Sequence, residues 1–150
     1  MTFGWINGIN AVAVIWLIIV NILAVKKGIA GSMESRYTII NVCEQIGRYG
    51  CMTLMILPIA VSGWGFGFTS VAEMLIWICV TMIILIVYSV LWTRKKFGSK
   101  AVLYGLAILP VCLFLINGVL LRHWLLIVFS LLFGFCHLWI VSENIKSKTV

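Results

Sequence analysis

Five apolar runs, each close to the length that crosses a bilayer, divide this chain and decide what it can become. A transmembrane helix needs about 20 predominantly apolar residues. Segments 6–25, 37–61, 71–92, 101–121 and 124–141 answer to that length. Of the 150 residues, 63% are hydrophobic and only 10% charged, against about 45–50% and about 25% in soluble domains. A water-soluble core of this size has no room for so much apolar surface. The pattern predicts an all-α integral membrane protein, a single transmembrane domain over residues 1–150 built as a bundle of five transmembrane helices. The last two runs read as a tight hairpin. One helix of about 40 residues would reach about 60 Å, twice the hydrocarbon thickness, and Asn117, Gly118, Arg122 and His123 supply a polar break.

Charge sets the orientation. Lys26, Lys27 and Arg36 lie between runs one and two, Arg94, Lys95, Lys96 and Lys100 between three and four, and Lys146 and Lys148 after run five. Nine of the eleven basic residues thus fall on one side, Arg122 falls on the other, and Arg48 lies within a run. By the positive-inside rule the N-terminus is outside and the C-terminus cytoplasmic. A four-span arrangement would scatter the basic segments over both sides. Trp5, Trp64, Phe66, Phe68 and Trp124 mark the outer interface, and Tyr37, Trp92, Phe97, Tyr104 and Trp139 the inner one, as aromatic belts do. The loop SGWGFGFTS reads as an interfacial segment on the outer side. Pro58 and Pro110 fall inside spans two and four and are expected to kink them. MTFGWINGIN lacks a positive n-region, which argues for a retained first span. The expected setting is a cell membrane, a prokaryotic plasma membrane, crossed several times.

Several classes are disfavoured. The net charge of +7 sits in short runs between apolar segments and not in a basic stripe, so no nucleic-acid partner is expected. The five cysteines carry no CxxC pair, which points to no zinc site and no disulfide framework. All fall inside apolar runs and read as small buried hydrophobes. His123 and His137 are about 21 Å apart along one helix, too far to clasp one haem. No metal or cofactor is expected. Glu73 and His123, at the outer interface, read as solvated.

One stretch departs from the apolar background, NVCEQIGRYG at 41–50. Counted from Tyr37 at 1.5 Å per residue, Glu44 lies about 10 Å deep and Arg48 about 16 Å. An arginine there costs at least about 2.5–3.5 kcal/mol. Glu44 precedes Arg48 by four residues, the favourable order for a helical ion pair. Asn41, Glu44, Gln45, Arg48, Cys51, Met52 and Met55 follow one helical stripe, which must face the bundle interior or a wet cleft. His137 lies about 7–8 Å from the inner boundary and Asn21 about 6 Å. Three spans therefore contribute to one polar layer in the cytoplasmic half. Asn21, Asn41, Glu44, Gln45, Arg48 and His137 are the candidate ligand-binding residues; none is assigned a catalytic or metal-binding part.

Two short resemblances accompany this stretch. Asn41-Val-Cys-Glu44 resembles the Asn-x-x-Glu signature of the membrane-associated eicosanoid and glutathione metabolism family, which are small helical enzymes. That family has four spans and usually a proline three residues after the glutamate, where this chain has Gly47. Glu44-x-x-x-Arg48 and Phe133-Gly-Phe-Cys-His137 resemble motifs of the CAAX-type intramembrane protease family. There Cys43 replaces the first glutamate, which that family uses in catalysis, and no later histidine motif follows. The chain is assigned to neither.

Three functional classes remain open. The first is binding or transport of a small molecule or lipid through the polar layer. The second is a small membrane enzyme with Glu44 and His137 as acid and base and Arg48 as clamp. The third is an accessory subunit docking another membrane chain. Besides the lipid bilayer, the expected partners are such a ligand, a second copy of the chain, or another membrane protein. Ser130 and Gly134 form a small-xxx-small element that lets helices approach closely. Because the polar layer draws on three spans, binding or transport is the favoured expectation.

Overall fold

The structure, a computed structural model, describes residues 7–27, 33–59, 67–94 and 99–147. Its elements are α1 (Gly8–Lys26), α2 (Thr38–Ile56), α3 (Val71–Arg94), α4 (Lys100–Leu120) and α5 (Trp124–Ser147). Four of them, α1, α3, α4 and α5, are long and apolar enough to cross a membrane, which supports an all-α, multi-pass membrane bundle. By the same measure α2 falls short, because its polar stripe lowers its hydropathy. Trp5, Trp64, Phe66, Lys95, Lys96, Phe97 and Lys148 lie outside the described residues.

The helices close into a ring. Around it α1 neighbours α2 and α3, α2 packs on α5, α5 on α4, and α4 on α3. Neighbouring pairs run antiparallel, except α1 and α3, which run parallel. Cys51 meets Ser130 while Glu44 meets His137, and Gly134 approaches Val111 while Gly118 approaches Ile127. The starts of α1, α3 and α5 therefore share one end with the finishes of α2 and α4. Among the described residues, Lys26, Lys27, Arg36, Arg94, Lys100 and Lys146 lie at the opposite end.

Close approach of α2 to α5 depends on glycine. A Cβ at Gly47 would stand 2.8 Å from the Phe133 Cα, so only hydrogen fits there. Ser130 and Gly134 are both buried within the bundle. The Ser130 hydroxyl donates to the Leu126 carbonyl at 2.6 Å and lies 3.7 Å from the Cys51 sulfur. The small-xxx-small element thus serves packing within the chain. Large apolar side chains face outward along the helices, as with Val12, Ile39, Ile83, Leu131 and Phe135, inverting the ordinary amphipathic order.

Several expectations change. Pro58 lies beyond α2, which ends at Ile56, and Leu57 is extended at φ −107°, ψ 109°. The proline ring disfavours helix at the preceding residue, so Pro58 stops the helix and does not kink it. Pro110 does lie inside α4. Asn117 and Gly118 also belong to α4, and Trp77 donates to the Asn117 oxygen at 2.6 Å. The hairpin itself turns at Leu121 to His123, with Arg122 at φ 54°. Phe68 is buried beside Trp77, ring centroids 5.2 Å apart, and not an interfacial marker. Cys79 is exposed, unlike the buried hydrophobe expected.

Two residues at the end away from the basic cluster are held, not merely solvated. Glu73 accepts from the Thr69 N–H at 2.8 Å and from Arg122 Nη2 at 3.3 Å. His123 is only 1% exposed and caps α5, its Nδ1 accepting from the Leu126 N–H at 3.3 Å.

Candidate functional site

Glu44 points into the ring, its side chain 3% exposed. Its Oε1 accepts from Arg48 Nε at 3.1 Å and from Arg48 Nη2, one helical turn along. From α5, His137 brings Nδ1 to 2.9 Å of the same oxygen. An ionised carboxylate only accepts, so Nδ1 carries the hydrogen in this contact, which leaves the Nε2 lone pair on a neutral ring. Phe133 stacks on that ring at 4.8 Å between centroids, fixing its plane. The absence of a side chain at Gly47 is what brings the two helices near enough for this bond.

Asn21 of α1 accepts from the Tyr88 hydroxyl of α3 at 2.8 Å and donates to its own Leu17 carbonyl at 2.9 Å. Asn41 is otherwise engaged. Its Oδ1 accepts from the Ser35 N–H at 2.7 Å and its Nδ2 donates to the Ser35 carbonyl at 2.9 Å. Ser35 in turn donates to Glu143 Oε2 at 2.6 Å, and Asn144 donates to the Glu34 carbonyl at 3.0 Å. Asn41 thus helps to strap the segment before α2 onto the end of α5. Gln45 is exposed.

All six candidates line one cavity of about 760 Å³ to which each of the five helices contributes. That volume lies within the range of about 300–1,000 Å³ typical of ligand sites. It sits toward the basic end, reaching Met33 and Glu34. Leu103, Leu106, Phe114 and Ile140 supply apolar wall. Ile18 and Ile22 of α1 and Gln45 and Tyr49 of α2 both line it and are exposed, so it opens sideways between these helices.

Arg48 is 36% exposed and has five N–H donors. Two reach Glu44; the other three make no hydrogen bond to the described residues, and Arg48 lines the cavity. Glu44 and Arg48 balance in charge. Among the described residues no three His, Cys, Asp or Glu side chains gather as metal ligands.

Sequence reasoning missed Tyr88, Ser35 and Glu143. A signal for Tyr88 existed: counted from Arg94 it lies about 9 Å in, level with Glu44. Ser35 lies in the segment before α2 and Glu143 near the end of α5, where no periodicity sets a polar residue apart. Against protein-family models, curated proteins and solved structures the chain finds no match.

Proposed function

We propose that this protein binds or transports a small molecule or a lipid through the polar cavity, as a five-span protein of a cell membrane. The observation that carries the reading is Arg48, held by Glu44 yet keeping three donors beside a cavity of about 760 Å³. A purely internal pair needs no such opening. That α2 is the fifth span is supported by its two faces: Glu44 lies inward, while Ile39, Val42, Ile46 and Tyr49 are exposed, an order that suits hydrocarbon and not water. The basic residues gathered at the cavity end support a cytoplasmic placement of that end, with the N-terminus outside and the C-terminus inside.

A second reading, a membrane enzyme, is favoured by the Glu44–His137 contact, since a carboxylate on Nδ1 leaves Nε2 as a base. The test is a set of three variants, Glu44→Gln, Arg48→Gln and the double, compared for melting temperature and for retained small molecules. Glutamine at 44 still accepts from Arg48 and His137, and Glu44 beside glutamine at 48 can take a proton, so both singles are expected to fold. A binding site loses its ligand in each. If either single is strongly destabilised and the double recovers, the pair is internal glue and the proposal fails.

A further inference from the structure

Resting on the binding reading above, we infer that the cavity takes an anionic amphiphile, a carboxylate or phosphate oxygen group on an apolar chain, together with one proton. The hydrogen-bond inventory points to the head group. Arg48 offers three uncommitted N–H groups, and the Asn21 amide keeps one beyond its bond to Leu17. These four N–H groups suit a ligand that brings oxygen acceptors to them, beside the Glu34, Glu44 and Gln45 oxygens that also line the cavity. Arginine presents these donors in the planar fork that matches carboxylate and phosphate.

The remaining walls point to the chain. Leu103, Leu106, Phe114 and Ile140 continue the cavity as an apolar surface. Its lateral opening is flanked by Ile22, 48% exposed, and Tyr49, 62% exposed, on faces that meet hydrocarbon in a five-span protein. A molecule already dissolved in the bilayer reaches Arg48 through this gap without crossing water.

Charge balance supplies the proton. Glu44 already neutralises Arg48, so an added anion would leave one net negative charge in a poorly solvated site, which is costly. A proton on the Glu44–His137 pair restores neutrality. The other titratable groups facing the pair are Arg48 and Tyr49 of α2, Tyr88 of α3 and Glu34 before α2, with Cys43 and Cys136 beside it. The α1 and α4 walls contribute none. Anion and proton therefore enter together, and binding tightens as pH falls.

The test uses the full chain in phosphatidylcholine nanodiscs with a fluorescent fatty acid, cis-parinaric acid, beside its neutral glycerol monoester. Expected is saturable binding of the acid at least about tenfold tighter than of the ester. Its Kd should fall by up to about tenfold per unit between about pH 8 and pH 6. Arg48→Gln should abolish the preference for the acid. Competition by oleate against lysophosphatidate then separates a free carboxylate from a lipid phosphate as the source. Equal, Arg48-dependent binding of acid and ester would overturn the anion while leaving the binding reading intact. A Kd flat with pH overturns the proton, and no saturable binding of the acid overturns the whole inference. Should Arg48→Gln fail to fold, acid against ester in the unaltered chain still decides, and Ile22→Trp on the exposed rim should slow association of the acid about tenfold. Unchanged association there would contradict lateral access.

Discussion

At Glu44 a single carboxylate oxygen meets donors from two helices, and the polar layer is organised around it. Tyr88 holds the opposite wall through Asn21. Tyr88→Phe leaves the Asn21 oxygen without that donor and is expected to lower stability by about 1 kcal/mol, read as a fall in melting temperature. His123 gives a pH dependence far from the cavity. Burial pulls its imidazole below the ordinary value of about 6.5, and the cap on Leu126 needs Nδ1 unprotonated. The unfolded chain takes up a proton near the ordinary value and the folded one only below it. The stabilising contribution is therefore complete above about pH 7 and declines as pH drops through 6.5 toward the lowered folded value. His123→Asn, which caps without titrating, should flatten this part of a melting-temperature profile against pH; an unchanged slope would contradict the assignment.

Between elements, the contact that matters is α2 against α5. Gly47→Ala gains roughly 1 kcal/mol of helix propensity but forces a methyl against Phe133 backbone at 2.8 Å. Backbone cannot swing aside as a side chain does, and overpacking costs about 1–3 kcal/mol. A lower melting temperature and weaker ligand retention are expected together, since Glu44 and His137 meet only at this spacing. A stabilised variant would show that the helices already stand farther apart. The inward turn of Glu44, Cys51 and Met55 was legible in the sequence because helical period and apolar surroundings both force it, while Gln45 of the same stripe is exposed. That Asn21 and His137 share its level followed from depth alone. That Asn41 also binds Ser35 was not legible, because Ser35 lies in a connecting segment with no period. Pro58 was misplaced because apolar character runs on past Ile56, although the residue before a proline resists helix. His123 is an N-cap, which depends on the local turn at Arg122 and not on any pattern.

At the scale of the molecule, the proposed five crossings, an odd number, would put the two termini on opposite sides. A fluorescent protein fused after Val150 should be bright in the cytoplasm, while a cysteine placed before Gly8 should react with an impermeant maleimide from outside. Both termini on one side would remove α2 from the membrane and with it the argument that its stripe needs a cavity. The Glu44 layer faces a shared interior while Ile39 and Ile46 are exposed on the outside, where the proposed five-span topology puts lipid, so what fills that interior is the question the whole fold poses. Native mass spectrometry of the protein, released gently from its own membrane beside Glu44→Gln, answers it most directly. The expected result is a small molecule or lipid retained by the unaltered chain and absent from the variant. A bare chain, or one carrying only a second protein, would contradict a ligand-binding cavity and leave Glu44, Arg48 and His137 as contacts that hold helices or subunits together.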